Sequence, residues 1–496
     1  MQVAVNRKNI RFVPDASRII ARFFYAGDER AVSTIKSVLS MSEYEAHLAL
    51  NQVLREYSLR HRNITKIFEK HFNKNRHIFD NLDINPESLN FVQKILIGSY
   101  FTMEYSIESA AIFNPSMIEH PDQSETGDGE KRVIISFRAI GEGHISSIVF
   151  RTGILDRNSN LTIEPVGKMM EEAEQIRNHI YDKNSFRSKL KDMKNVQEDF
   201  NRELILDNLN EKFTYDELRN CVEDAKKNNP LTHDNGDLLN QIAWLASSHY
   251  ELDFSMDTHI SERVIFPISS NENKGIEDAR FVQFKNDDDS VMYYATYTAY
   301  NGNSTVPKMI ETKDFYHFNM RPINGEIAQN KGMALFPRKV NGKYAMLCRM
   351  DGCNNYIAYS DRISVWREAK LLQKPKYPWE FVQIGNCGSP IETEEGWLVI
   401  THGVGPMREY AIGASLFDLQ NPEIEIGRLK KPLLVPKAEE REGYVPNVVY
   451  SCGSMIHNDD LILPYAMSDF ASTYATANLR ELLNELKNSL KGQSVL

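Results

Sequence analysis

One short stretch and one scattered group hold most of the side chains able to do chemistry. The stretch is Gly275-Ile276-Glu277-Asp278-Ala279-Arg280, a glycine turn with two adjacent carboxylates and an arginine, just ahead of the apolar pair Phe281-Val282. A carboxylate beside Arg280 stays ionised unless burial opposes it, while its neighbour can be tuned differently. Taken alone, the segment reads more simply as a strand-entry turn with Arg280 as a local ion-pair partner. The scattered group is basic. Lys331 precedes the run Met333 to Pro337, Arg349 closes the partner strand of the same hairpin, and His402 and Tyr410 lie in Thr-His-Gly-Val and Arg-Glu-Tyr-Ala. If these four converge, two fixed cations, an imidazole and a phenol make a site for a small oxyanion, held by charge-assisted hydrogen bonds. Separately, each is an ordinary solvated strand end or partly buried β residue, and spacing alone does not decide between the two.

Other chemistries find no support. Asp287-Asp288-Asp289 sits between β-like segments and reads as a solvated hairpin loop, with neither an EF-hand pattern nor other metal-ligand spacing around it. There is no Walker loop, no HExxH and no GxSxG elbow. The five cysteines, Cys221, Cys348, Cys353, Cys387 and Cys452, form no CxxC pair and read as free thiols, so neither a metal nor an organic cofactor is expected. With 58 Lys and Arg against 68 Asp and Glu, the net charge of −10 argues against a nucleic-acid surface and confines any anion site to a local pocket. No apolar run is long enough to span a bilayer, and Met1 to Lys8 is not followed by the apolar core of a secretory signal. A cytoplasmic location without membrane contact is the expectation.

The elements that must position these residues fall into blocks. Residues 1–110 are expected to be helical. After Ser42 the apolar positions Ala46, Leu50, Val53 and Tyr57 recur at helical spacing, Ser42 and Glu45 form a capping-box pattern, and Ile67, Phe68 and Phe72 continue the theme. A second helical block is expected over about 167–250. There Met169, Ala173, Ile176 and Ile180 share a helical face, Thr214 and Glu217 form another capping box, and Leu238, Ile242 and Leu245 give a further stripe. Such stripes are packing faces, against the rest of the chain or against another subunit of a homo-oligomer. From about 255 to 475 the texture changes to short β runs: Val291 to Tyr300, Met333 to Phe336, Tyr344 to Cys348, Trp397 to Thr401, Ala411 to Phe417, Asn447 to Tyr450 and Leu461 to Tyr465. Asn341-Gly342 is a hairpin signal, because both residues tolerate positive φ. Val133 to Phe137 and Ser147 to Phe150 form a β piece between the helical blocks. Many short strands without crossover helices suggest a barrel, sandwich or propeller, and periodicity does not choose among them.

With these pieces in order, the sequence resembles glycoside hydrolase family 130, the mannoside phosphorylases and related β-mannosidases. Phe113-Asn114-Pro115 is similar to the family's first asparagine-proline motif, and Phe137-Arg138-Ala139 to its following strand-end arginine. Gly275 to Arg280 is similar to the signature Gly-x-Glu-Asp-Pro-Arg, with Ala279 where proline is usual. Leu335-Phe336-Pro337, Gly396-Trp397-Leu398, Thr401-His402-Gly403, Tyr444 to Val448 and Tyr465 to Asp469 follow in the family's order, so the likeness runs over roughly 110 to 475 outside the helical insertion.

The resemblance implies a mainly β fold, a five-bladed β-propeller over 111–475; the helical region 1–110 and the insertion at about 167–250, both absent from the family's compact members, are additions to it, and a C-terminal helix over 476–496 is expected to follow. The resemblance also implies Asp278 as general acid, acting on the leaving oxygen through a hydroxyl of the bound mannosyl group. Lys331, Arg349, His402 and Tyr410 would bind phosphate, and Asn114, Arg138, Glu277, Arg280 and Asp469 would contact the sugar. Inorganic phosphate, as co-substrate, would attack a mannose-containing oligosaccharide with inversion and give α-mannose 1-phosphate; inversion needs room for the nucleophile opposite the acid. A β-mannosidase using water in the same pocket, with an unassigned carboxylate as base, is the alternative, and a non-catalytic glycan-binding protein is the reading from another class.

Overall fold

The computed structural model describes residues 3–167, 169–176, 180–184, 186–187, 206–228, 242, 245 and 248–491. It is mainly β, with six sheets among the described residues; within them five antiparallel ladders follow in chain order, the first two joined by a parallel pair between Ser146 and Gly275 into one twelve-stranded sheet. The first holds Ala111–Glu119, Lys131–Ile140, Ser146–Leu155 and Leu161–Ile163. The second holds Gly275–Lys285, Val291–Tyr300, Thr305–Thr312 and His317–Pro322. The third runs through Ala334–Leu335, Tyr344–Cys348, Asn355–Ser360 and Ala369–Gln373. The fourth joins Gln383–Asn386, Gly396–Val404, Tyr410–Phe417 and Glu425–Arg428. The fifth is Val449–Tyr450, Asp460–Met467 and Ala471–Asn478, completed by Val5–Arg7 from the far N-terminus.

Apolar side chains on both faces of these ladders explain why they stack. One core combines Ile118, Ile134 and Phe150 of the first ladder with Phe281, Ala295 and Ile310 of the second. Another joins Phe284 and Met309 to Leu335 and Met346, and a third joins Ala345 and Leu347 to Trp397 and Val399. Leu398 and Ile412 then pack with Leu461 and Tyr465, and the fifth ladder returns to the first through Ile462 and Tyr474 beside Ile112 and Val133. Each core is shared by two successive ladders, and the last closes on the first. The hairpin expected at Asn341-Gly342 is present, with φ of 50° and 77° at its two central residues.

The N-terminal region is helical between Asp28 and Tyr100, and Ser42 and Glu45 exchange the two hydrogen bonds of a capping box. The expectation of helix throughout 1–110 needs correction. Val5–Arg7 is an edge strand of the fifth ladder, and Ile19–Phe23 pairs with Thr102–Ser106 around the helical core. The second helical block needs a larger one. Glu171–Glu172 pairs with Arg263-Val264, Glu174–Ile176 with Glu251 to Asp253, and Ile180–Asp182 with Lys212–Thr214. The helical spacing of Met169, Ala173, Ile176 and Ile180 is overridden by these edge pairings. Helix does form at Tyr215–Asn228, capped by Thr214 and Glu217. Ile242 and Leu245 join Tyr181, Phe213 and Leu218 in a separate small core, while Leu238 lies outside the described residues. The C-terminal helix spans Leu479–Lys491, beginning after strand residues that reach Asn478.

Candidate active site

The inner strands of the first two ladders each carry a β-bulge at the same place, and each bulge aims a polar side chain into one cavity. In the first ladder the register shifts between Phe113 and Ser116, and Asn114 adopts φ 51°. In the second it shifts between Glu277 and Arg280, with Asp278 at φ 56°. Asn and Asp are the non-glycine residues that best tolerate this left-handed conformation, and bulges re-aim side chains at the rims of sheets. The second bulge forms with Ala279 in place of the proline that follows Asn114 in the first. Asn114 Nδ2 donates to Asp278 Oδ1 at 2.7 Å, joining the two bulges directly.

Around this pair lies a cavity of about 200 Å³, lined by residues from the first, second, fourth and fifth ladders, by Lys331 and Arg349 flanking the third, and by turns between the ladders. Eight of the ten residues singled out from sequence line it: Asn114, Arg138, Asp278, Lys331, Arg349, His402, Tyr410 and Asp469. The other two, Glu277 and Arg280, stand one layer behind. Glu277 accepts from Arg138 Nη2 at 2.7 Å and from Lys331 Nζ at 2.5 Å, so it holds one cation on either side of itself. Arg280 donates to the Asp278 carbonyl at 3.0 Å and to the Tyr450 hydroxyl at 2.8 Å, bracing the bulge from beneath. Both are expected among the sugar contacts; in the structure their hydrogen bonds run to the lining side chains and to the bulge.

Charge in the cavity is unequal. Arg138, Lys331, Arg349 and Arg408 line it against Asp278 and Asp469, so the wall carries two positive charges in excess although the chain as a whole is acidic. Burial opposes ionisation of Asp278, but Arg138, Arg280, Lys331 and the Asn114 hydrogen bond outweigh it and hold its carboxyl below the ordinary aspartate value. Asp469 goes the other way. Burial, reinforced by the charge of Asp278, pushes it up to about 6 in spite of Arg138 and Arg408. His402 is 2% exposed, and burial together with Arg349 and Arg280 drives its pKa well below the usual imidazole range, so it is neutral. Its Nδ1 lies 3.1 Å from the Asn386 carbonyl, which accepts the ring N–H, and Nε2 then accepts from Arg349 Nη1 at 3.1 Å. The Tyr410 ring stacks on His402 at 6.0 Å and 12°. Gly385 makes this packing fit, since a Cβ there would lie 2.6 Å from His402 Cε1.

Sequence reading missed Gln383, Arg408, Val445, Val448 and Tyr450, which also line the cavity. The turn dipeptide Gly405-Pro406 close before Tyr410 was a signal for Arg408; nothing local marks Gln383. The thiols beneath the cavity are inert, because burial pushes Cys387 up to about 12 and Cys452 well above its ordinary value. Among the described residues no three His, Cys, Asp or Glu side chains gather as a metal site.

A family model described as β-1,4-mannooligosaccharide phosphorylase matches residues 252–488. A 1,2-β-oligomannan phosphorylase of Thermoanaerobacter sp. (strain X514) is 33% identical over 225 residues, covering 44% of this chain and 74% of that protein. A β-1,2-mannobiose phosphorylase of Listeria innocua serovar 6a is 31% identical over 234 residues, covering 46% of this chain and 64% of that protein. The solved β-1,2-mannobiose phosphorylase from Listeria innocua, in complex with β-1,2-mannobiose, aligns with 77% of this chain and 93% of its own at 21% identity and a TM-score of 0.46, too loose a likeness to carry geometry across. The matched span contains the Gly275–Arg280 bulge and the whole basic group, and one relative is covered over 74% of its length. On that evidence the chain belongs to glycoside hydrolase family 130.

Proposed function

We propose that this protein is an inverting β-mannoside phosphorylase whose five ladders are the blades of a β-propeller, with the cavity on its axis. Five ladders in chain order, five cores each shared by neighbours, and a last core closing on the first support that architecture. The observation that carries the function is the convergence, in one cavity of about 200 Å³, of Asp278 with the fixed cations Arg138, Lys331, Arg349 and Arg408. The relatives' names, which are those of mannoside phosphorylases, supply the substrate class.

In this reading a mannosyl group lies between Asn114, Arg138 and Asp469 on one side and a phosphate held by Lys331, Arg349 and Tyr410 on the other. A phosphate oxygen forms the new bond to the anomeric carbon as the glycosidic carbon–oxygen bond breaks on the opposite face. The leaving oxygen takes the proton supplied from Asp278, and α-mannose 1-phosphate and a shortened sugar result. Phosphate is already an anion and needs placement and charge balance more than a base. Lys331, one of the cations that keep Asp278 ionised, is also one that a phosphate dianion would neutralise, so phosphate entry raises the carboxyl's proton affinity when an acid is required. Neutral His402 offers a lone pair at Nε2, able to orient Arg349 or to accept from a protonated phosphate oxygen.

A hydrolytic reading has one observation in its favour. Asp469, the other carboxylate on the cavity wall, has the raised pKa of a candidate base for water. The reverse reaction separates the two. Purified protein with α-mannose 1-phosphate and a panel of acceptor sugars should release phosphate only when an acceptor is present, with a matching disaccharide. No release with any acceptor, together with mannose liberation from β-mannosides in phosphate-free buffer, moves the assignment to hydrolysis.

A further inference from the structure

Asp469 reaches the cavity on a turn that its own sequence does not favour. Ser468 and Asp469 are the two central residues of the hairpin between Asp460–Met467 and Ala471–Asn478, at φ 50° and 52°, and Phe470 N closes the turn on the Met467 carbonyl at 3.1 Å. Two consecutive left-handed residues are the signature of a type I′ turn, for which Asn-Gly is the usual pair. Ser-Asp in its place costs energy and persists only where surrounding contacts over-determine it.

Those contacts come from one neighbouring segment. Ser468 N donates to the Val448 carbonyl at 2.8 Å, the Ser468 carbonyl accepts from Val445 N at 3.1 Å, and Ser468 Oγ donates to the Glu440 carbonyl at 2.6 Å. The segment is fixed in turn by the Glu440 carboxylate, whose side chain is 4% exposed. Its oxygens accept from Tyr465 Oη at 2.7 Å, from Lys437 N at 2.9 Å, and from Arg7 Nε and Nη2 at 3.0 and 3.3 Å. Arg7 also donates to the Val435 carbonyl at 2.6 Å. Arg7 belongs to the three-residue N-terminal strand, far outside the matched span 252–488.

We propose that Arg7, Glu440 and Tyr465 form a clamp that positions Asp469, so that the N-terminal strand is part of the apparatus that builds the sugar side of the cavity. The three are positioning residues: none lines the cavity, and their effect passes through Ser468 to Asp469 and through residues 445–448 to the adjacent wall. The inference rests on the proposed sugar contact of Asp469 but not on the identity of the nucleophile.

A double-mutant cycle tests it, run on whichever β-mannoside-cleaving activity the wild type displays, phosphorolysis or hydrolysis. Failure of the phosphorylase reading therefore leaves the clamp testable. Arg7→Met keeps the backbone pairing of its strand and carries the test. It should raise KM for the mannoside about tenfold with kcat within about threefold and, where the activity is phosphorolysis, leave KM for phosphate unchanged, and Arg7→Lys should recover part of the loss. In an Asp469→Asn background the same Arg7→Met change should move mannoside affinity, read by calorimetry where turnover is too slow, by less than about twofold. Amide exchange should quicken at 441–448 and 468–470 and stay unchanged in the other ladders. Additive losses from Arg7→Met and Asp469→Asn, an equal rise in both KM values, or an unaltered mannoside KM would each overturn the proposal.

Discussion

Asp278 and Asp469 share one cavity and carry opposite electrostatics, and each makes its own prediction. Asp278, ionised among three cations, must regain a proton to act as an acid. Asp278→Asn removes it while keeping the Asn114 contact in outline, and should lower turnover by about 10²–10⁴-fold, the usual worth of a general acid. Steady-state rates on a folded variant with an unchanged circular dichroism spectrum check this. Asp469 makes a stability prediction. Its carboxyl is raised to about 6 by burial and by Asp278, against about 4 in an unfolded chain. The folded state therefore binds that proton more tightly. The resulting stabilisation is complete below the unfolded value and is lost as pH rises through about 6. Asp469→Asn, which cannot ionise, should gain on the wild type by a few degrees of Tm between about pH 4.5 and about pH 7.5, measured by thermal denaturation at both. A Tm difference that does not change with pH would contradict the assignment of that burial cost. The carboxylates and the basic quartet were legible in sequence as residue types in recognisable segments. The direction of their proton affinities was not, because it depends on which charges meet across ladders: Asp278 feels Lys331, 53 positions away, and Asp469 feels Arg138.

At the scale of elements, the bulges and the close glycine matter most. Both bulges place a left-handed Asn or Asp at the cavity, and nothing in local strand propensity announces them, since an uninterrupted alternation would have turned these side chains to the other face. Gly385 leaves no room for a Cβ beside His402 and lies 3.4 Å, by the same measure, from Arg349 Nη1. Gly385→Ala should therefore disturb the phosphate side alone, raising KM for phosphate about tenfold while the mannoside KM holds, since one charge-assisted hydrogen bond is worth about 1.5–3 kcal/mol. Separate titrations of the two substrates read this out, and a shared rise in both KM values would place Gly385 elsewhere in the account. Strands over 291–300 and 344–348 were read to the residue, because alternating β-branched and aromatic side chains meet turn signals at both ends. The stretch near 169–182 was misread as helix because its apolar residues fall at helical intervals, whereas its edge strands are only two or three residues long. Val5–Arg7 was missed for the same reason. Three residues carry no period, and their strand exists through pairing with Ala475 to Ala477 at the other end of the chain.

On the scale of the whole molecule, the chain is acidic and its cavity is basic. That contrast concentrates positive charge in the cavity, where a small anion would be held. The first and the fifth ladders both contribute to the cavity, so its chemistry depends on closure of the last ladder onto the first, and the N-terminal strand that completes the fifth ladder takes part in it. Which residues share the cavity could be anticipated only through the family likeness. Asn114 and Asp469 stand 355 positions apart, and composition and periodicity carry no information at that range.

The central claim is that phosphate, held by the cations facing Asp278, is the nucleophile. The most direct measurement is phosphorus NMR of the protein incubated with a β-linked mannobiose and inorganic phosphate, with a parallel assay of free mannose in phosphate-free buffer. The account predicts a phosphomonoester signal with the coupling of the α-anomer, growing as inorganic phosphate falls, and no mannose without phosphate. Free mannose at an undiminished rate in the absence of phosphate, with no phosphomonoester in its presence, would contradict it.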